Sequence, residues 1–535
     1  KYKIGKYGGT FTLTITGDPK TFNKVNGLDP DSRATITNLS DYLADYDPYT
    51  KEWLPNTATF KVVVDKKNDK LEVIYTLRDD LYWTTSDGKT KEKVTSNDVI
   101  FWYNEVDGDR NLQQPGFAQQ FVTLKNGSSA HIDIEKIDEL SFKFKFPRII
   151  NDPVLSTNMD FGPAFIYEKA KKEDGLDGLL KVHTIDKNVK EIPSIGPFHI
   201  VSYTPGVEIV LKRNPNYWLK DKKGNHLPYV ETLVYKIVAD NNTEFLLFKQ
   251  GKIDYYKVRQ IDLEELVNKD KKDYIIYFGG TAQDSGFICF NQNPANIDKK
   301  YYKWFKETKF RQAMSSLLNR DRIIKQIYRG LGEPANYLFA RSNPYFDEDI
   351  KQKYQYNPKK ALELLSEIGF TKKDDGLMYD KDGNKVEFEI NPAAESNTGI
   401  DIANIFADEL KNVGINLKVR PMDFQKIIEM SDKTYDFHSI MMRFGPIMFP
   451  SQGSNVWPSK GNYHLWYPMQ SKPATDWEAR VDYLYNEGMF TIDKKEAKKI
   501  YDEYQKIILE QNPLIYFVYP YSFVALRSKW QNVFY

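Results

Sequence analysis

The sequence has one cysteine, Cys289, in 535 residues. That excludes a disulfide framework and any multi-cysteine metal site. It also lacks a long apolar run. The longest, 514–526, is interrupted by Tyr, Ser and Pro520, and it falls short of the ~20 residues that span a bilayer. Charge of either sign is not in excess: Lys+Arg 75 against Asp+Glu 74 leaves +1, so no basic footprint for a nucleic acid is present. The motifs of common chemistries are missing too. There is no glycine-rich phosphate loop closed by Gly-Lys-Ser/Thr, no His-Glu-x-x-His, no Cys-x-x-Cys and no Gly-x-Ser-x-Gly. The six histidines (131, 183, 199, 226, 438, 464) are scattered with no pair at ligand spacing. Each reads as a packed or surface histidine. No cofactor and no metal site is expected.

What is abundant is aromatic: 36 Tyr, 32 Phe and 9 Trp, which suits a protein that lines a cleft with rings. The chain exceeds the ~250–300 residues that one core supports, so two or three domains are expected. It starts at Lys1 without an apolar leader segment and reads as a mature, processed form or a trimmed one.

The periodicity is α/β. Phe11, Leu13 and Ile15 alternate with Thr as a strand stopped at Gly17-Asp18-Pro19. Leu140, Phe142, Phe144 and Phe146 alternate likewise, and Pro205-Gly206 turns a hairpin within 197–218. Thr95 with Asp98 three residues on has the spacing of a capping box. Gly251 stands where a helix ends. Asn357-Pro358 opens a helix whose apolar positions are Ala361, Leu364, Leu365 and Ile368, with Gly369 after it. Ile402, Ile405, Phe406, Leu410 and Val413 form a second helical stripe, stopped by Gly414 before an alternating strand.

Two suggestive patterns resolve into ordinary structure. The run from Asp380 to Asn384 resembles the start of a calcium loop, but Lys385 holds the position that needs Gly and Asn391 the position that needs Glu. Asp382-Gly383 between apolar runs reads as a hairpin turn. Cys289, flanked by Ile288 and Phe290, reads as buried and structural. The sequons at Asn38, Asn126 and Asn241 are weak matches. Nothing proposes bond-making, and a binding protein is the favoured class.

The segment "WLPNTATFKVV…LEVIYTLRDDLYWTTSDGKTKEKVTSNDVIF" contains Leu77-Arg78-Asp79, Trp83, Asp87-Gly88 and Asp98-Val99 in order. Further on come "IGPFHIVSYTPGVEIVLKRNPNYW", "KDKKGNHLPYVETLVYKIVADNNTEFLLFKQGKID", "FRQAMSSLLNRDRII" and "HLWYPMQSKPATDWEARVDYLY". Together they resemble family 5 extracellular solute-binding proteins, the receptors of peptide-type ABC importers. Within that resemblance Trp83 reads as packing, since a Trp beside a tight turn staples a hairpin.

The resemblance implies a two-lobed periplasmic-binding-protein (Venus flytrap) fold of type II, cluster C-like, with an extra domain inserted in the first lobe. The expected parts are 1–48 (lobe I), 49–192 (insert), 193–283 (lobe I continued), 284–520 (lobe II) and 521–535 (return to lobe I). "SGFICFNQNP" and "NPLIYFVYP" are the expected crossovers. The implied function is extracytoplasmic capture of a peptide or similar solute by hinge closure, without catalysis. Delivery would be to the permease and ATPase subunits of an importer, by a monomer that is periplasmic or lipid-anchored. Backbone groups of both lobes would pair with an extended peptide.

The ligand-facing positions implied by the resemblance are Asp18, Asp31, Ser32 and Phe117 in the first lobe and insert, and Tyr516 at the second crossover. From the loop after "YDFHSIMM" come Met442, Arg443 and Phe444. Arg443 stands where many relatives have Trp. No Asp or Glu occurs from Ile440 to Lys460, so this loop is not expected to read a peptide's amino terminus. Arg443 could instead grip a carboxylate or stack on a ring. Its alternative is a surface arginine paired to an acid. An oligosaccharide receptor of the same fold stays open, with Trp457, Trp466 and Tyr467 as stacking platforms, as does an enzyme without a recognisable motif. A nickel or haem receptor is disfavoured, because His438 and His464 stand alone.

Overall fold

The computed structural model describes residues 3–112, 114–125, 128–268, 273–445 and 447–532. Asn126 of one sequon and Pro446 of the Arg443 loop lie outside them. The chain forms two compact units, Lys1–Tyr277 with Phe523–Tyr535, and Phe278–Ser522. It therefore passes between units twice, within the strands Tyr274–Thr281 and Val518–Arg527. The stretches 285–294 and 512–520, expected as crossovers, instead contribute the strands Gly286–Phe290 and Leu514–Tyr516 to the sheet of the second unit. Their apolar character reflects burial there: Phe287, Ile288, Cys289 and Phe290 are fully buried. The first unit ends at Tyr277, where lobe I was expected to run to 283, and resumes at Phe523, where the return was expected at 521.

The first unit holds two four-stranded sheets. In one, the order is Thr10–Ile15, Thr232–Ile237, Glu208–Arg213, Phe198–Thr204. The first pairing is parallel and the others antiparallel. Phe198, Ile200, Ile209, Leu211 and Leu233 form its core with Phe22 and Leu39. The Pro205-Gly206 turn is present, with Gly206 at φ 70°. The second sheet, Asp133–Lys136, Ser141–Phe146, Lys70–Leu77, Ala58–Asp65, is antiparallel throughout. Its alternation is the expected one: Phe142, Phe144 and Phe146 are buried with Val73 and Tyr75. Trp83, 1% exposed, meets Phe161 edge-on at 6.1 Å, as packing requires.

The second unit is built on a five-stranded mixed sheet in the order Asn416–Val419, Glu387–Asn391, Ser439–Arg443, Gly286–Phe290, Leu514–Tyr516. The helix Asn397–Asn412 joins the parallel pair Glu387–Asn391 and Asn416–Val419, the right setting for a one-sided apolar stripe. Gly414 ends that helix at φ 88°, and a Cβ there would stand 2.5 Å from Gly376 O, so only glycine fits. Asn357 caps the helix Pro358–Glu367 through Lys360 N. The Asp380 carboxylate accepts from Asp382 N, Asn384 N and Trp304 Nε1, closing a turn with Gly383 at φ 84°. Among the described residues no group of three or more His, Cys, Asp or Glu is placed to hold a metal ion. Cys289 is fully enclosed, and burial pushes its thiol up.

Candidate functional site

In the first unit, Thr95-Ser96-Asn97-Asp98 opens a helix, and Asp98 accepts from Thr95 N and Ala164 N, both at 2.8 Å. The helix Ser96–Phe101 then widens into a π-helical turn, Trp102–Asp107, a feature that recurs at functional sites. The turn presents Trp102, Tyr103 and Asp107 to a cavity of about 270 Å3, which is also lined by Lys24, Arg33, Tyr42 and Asp160. Lys24 Nζ is ion-paired to Asp160 and donates to Ser40 Oγ at 2.9 Å, and Ser40 Oγ donates to Asp160 Oδ2 at 3.0 Å. Asp107 is different. Among the described residues no hydrogen bond reaches its carboxylate. Burial pushes its carboxyl up to about 7, with the charge of Asp160 adding and that of Lys24 opposing. A Cβ on Gly116 would stand 2.9 Å from Asp107 Oδ2, so glycine lets its loop close against the carboxylate.

The first-unit candidates lie around this region with different tasks. Asp29 caps the helix Pro30–Ile36 through Ser32 N at 3.0 Å. Ser32 is fully buried, and its Oγ accepts from Lys20 N at 2.9 Å and Thr21 N at 3.3 Å. Asp31 accepts from Thr16 N at 2.9 Å. Asp18 accepts from Tyr203 Oη and Gly206 N, both at 2.8 Å. Asp31 and Ser32 thus tie the 16–32 segment together, and Asp18 ties it to the Pro205-Gly206 turn. Phe117 is half-buried against Phe121 at 5.2 Å, beside the cavity-lining Gly116 and Gln119.

In the second unit the antiparallel register sets Met442 opposite Phe287, and Phe287 opposite Tyr516 on its other side. Phe444 and Tyr516 bring their rings to 4.9 and 5.8 Å from that of Phe287. Met442, Phe444 and Tyr516 therefore converge on one buried ring. Arg320 Nε donates to Tyr516 O at 2.9 Å and fixes the strand from behind. Arg443, opposite Gly286, turns outward with its side chain 52% exposed, and its Nε lies 2.9 Å from Asp284 Oδ2.

Residues 50–464 match the bacterial extracellular solute-binding proteins, family 5 (Middle). The chain belongs to that family. A probable ABC transporter-binding protein of Deinococcus radiodurans is 30% identical over 95% of this chain and 86% of its own. The oligopeptide-binding protein AppA of Bacillus subtilis, solved with a nonapeptide, shares 24% identity and a TM-score of 0.68, covering 99% of this chain and 96% of that one. The periplasmic binding protein MelB of Agrobacterium fabrum C58, solved with stachyose, shares 19% and a TM-score of 0.70 over 98% and 81%. The two-lobed α/β fold of these receptors is the fold of this chain.

In this solute-binding protein the sugar-stacking candidates are elsewhere than expected. Trp457 and Trp466 are 4% and 1% exposed, packed in a core with Tyr504 and Leu484. Trp466 Nε1 donates to Glu478 Oε1 at 3.0 Å. Glu478 also receives His464 Nε2 at 3.0 Å, Gln470 Nε2 at 2.9 Å and Thr475 Oγ1 at 2.8 Å. His464 Nδ1 meets Val456 O at 2.9 Å. The His464 ring thus bridges the Val456 carbonyl and the Glu478 carboxylate. Hydrogen bonds from His464 and Gln470 outweigh burial and hold the Glu478 carboxyl down at about 2. The Trp466 indole thus ties its loop to the helix Asp476–Phe490 by donating to the buried Glu478.

The sequence reading missed Lys24, Tyr42, Asp107 and Asp160. Asp107 follows a helix whose period gives no sign of a π-helical turn, and Asp160 lies in an irregular stretch, so no motif marks them.

Proposed function

We propose that this family 5 protein is the extracytoplasmic receptor of an ABC importer and that its solute is a peptide. The observation that carries the reading is the family match over residues 50–464, together with relatives described as ABC transporter-binding and oligopeptide-binding. The two passages of the chain between the units support capture by hinge closure, in which a few residues at the ends of the strands absorb the rotation. The ligand-facing positions would be Asp18, Asp31 and Phe117 in the first unit and Met442, Arg443, Phe444 and Tyr516 in the second; Ser32, fully buried with its Oγ taken by Lys20 N and Thr21 N, would act only by holding its segment. Arg443, with most of its fork free of Asp284, would hold a carboxylate of the solute. The receptor would act as a monomer, free in the periplasm or lipid-anchored, handing its cargo to the permease and ATPase subunits without altering it.

The stachyose complex of MelB keeps an oligosaccharide as the second reading. Burial of Trp457 and Trp466 takes two of the three expected stacking rings out of reach and leaves Tyr467, which is half-buried. Small-angle scattering of ligand-stripped protein with and without a saturating peptide tests closure. A smaller radius of gyration with peptide is expected, and an unchanged profile at saturation would remove the hinge mechanism.

A further inference from the structure

We propose that Arg320 is a positioning residue for solute binding: through the Tyr516 carbonyl it fixes the aim of the Tyr516 ring, and thereby the affinity of the second unit for its solute. The inference rests on the peptide reading, in which Tyr516 faces the solute, and adds to it a residue that never touches that solute.

The need arises at the sheet edge. The strand Leu514–Tyr516 is the last of the five and pairs on one side with Gly286–Phe290. Phe517 N donates to Gly286 O. The adjoining pair Phe287–Tyr516 is therefore of the non-hydrogen-bonded kind, and the Tyr516 carbonyl points away from the sheet. Arg320 meets it there. It opens the helix Arg320–Gln326, which Asn319 caps through Arg322 N at 3.0 Å. Its Nε donates to Tyr516 O at 2.9 Å, its Nη1 to Ser315 O at 3.2 Å and its Nη2 to Ser315 Oγ at 3.3 Å. Ser315 lies in the last turn of the helix Thr308–Leu317, where carbonyls lack partners within the helix and favour a cation. The planar fork thus ties a helix end to one strand carbonyl.

For stability alone this is a costly device. Arg320 is 2% exposed, its bonded acceptors are neutral oxygens, and Asp321, the acid in its field, sits on the exposed side of the helix. A desolvated guanidinium without a bonded carboxylate costs several kcal/mol. What the fork secures is orientation. With the carbonyl held, the Tyr516 side chain leaves the strand in one direction, and its ring meets Phe287 edge-on at 5.8 Å, beside Phe444 on the same ring. Tyr516 is half-buried, and among the described residues its hydroxyl has no bonded partner. Arg311 provides the contrast. It is fully enclosed too, but it donates to Gln511 O, Phe305 O, Gln292 Oε1 and Thr308 Oγ1, none of them at a ligand-facing position.

The probe is the tripeptide that wild type binds most tightly from an Ala-Xaa-Ala set. It is titrated by calorimetry into wild type, Arg320→Lys, Arg311→Lys, Tyr516→Ala and the double variant of Arg320→Lys with Tyr516→Ala, each shown to be folded by circular dichroism. Arg320→Lys keeps the charge and loses the fork, and it should weaken the peptide about tenfold, the scale of one hydrogen bond to a charged group. In the Tyr516→Ala background the same change should matter by less than about twofold, because the ring through which Arg320 acts is gone. Arg311→Lys should lower the Tm and leave the affinity within about threefold of wild type, since its contacts are structural only. Wild-type affinity in Arg320→Lys, a loss that persists without the Tyr516 ring, or an equal loss in Arg311→Lys overturns the assignment and leaves the peptide reading intact. If no tripeptide binds wild type, the peptide reading fails. The Tyr516 ring signal then decides Arg320 alone, read in ligand-free protein with ring-labelled tyrosine and assigned by its loss in Tyr516→Phe. A shift in Arg320→Lys but not in Arg311→Lys upholds the positioning, and a shift in neither or in both ends it. Should Arg320→Lys not fold, Ser315→Ala, which frees one arm of the fork, takes its place. A weakened peptide with a shifted Tyr516 signal upholds the assignment, and a wild-type value of either overturns it.

Discussion

Arg443 Nε stands 2.9 Å from Asp284 Oδ2 at the end of the strand Ser439–Arg443, with Arg443 half in solvent. The contact is that of an exposed ion pair, which contributes about 0–1 kcal/mol. Arg443→Ala should therefore leave the urea midpoint nearly unchanged, by less than ~1 kcal/mol. If its free guanidinium edge holds the solute's carboxylate, the same change weakens a peptide with a free carboxyl terminus by roughly 1.5–3 kcal/mol. Asp284→Asn should tighten that peptide, because the competing carboxylate is gone. Calorimetry on the two variants checks both signs.

No acid lies between Ile440 and Lys460, so acetylating the peptide's amino terminus should change its affinity by less than threefold. A loss of 100-fold would mean that an acid elsewhere, such as Asp18 or Asp31, binds the ammonium.

The fold was far more legible than the site, and the two differ for physical reasons. Alternation in 141–146 and the stripe from Ile402 to Leu410 follow the periods of strand and helix, and burial confirms both. Gly206, Gly383 and Gly414 sit at the left-handed φ values that their turns require. Trp457 and Trp466 misled because an indole in a loop reads alike whether it covers a ligand or a buried acid. Only the position of Glu478, within the helix Asp476–Phe490, distinguishes the cases. The Asp107 cavity was illegible because it assembles residues from 24 to 160 with no local spacing.

Glu478 gives a pH prediction with a definite sign. Its carboxyl sits at about 2 in the fold against 4.5 when unfolded. Its contribution is thus complete above pH ~4.5 and lost as the pH falls toward 2, roughly 3 kcal/mol in all. Glu478→Gln takes the buried carboxylate from the four side-chain donors that share it and should destabilise the protein at pH 7 by about 1–3 kcal/mol. It should also flatten the fall in stability between pH 4.5 and 2.5. Denaturant titrations across that range check it, and a wild-type midpoint that rises on acidification would contradict the lowered carboxyl.

Trp466→Ala should destabilise the protein by about 3–5 kcal/mol through the cavity it leaves. Stachyose, tested on the folded variant at low temperature, should bind no differently from wild type. A selective loss of oligosaccharide binding without loss of stability would restore Trp466 as a ligand platform.

The most direct test of the account is to strip the protein of ligand and incubate it with a mixed library of peptides and oligosaccharides. What the desalted protein retains is then identified by mass spectrometry. The account predicts one or a few peptides, retained intact. Retention of oligosaccharides instead of peptides, or recovery of cleaved peptides, would contradict it.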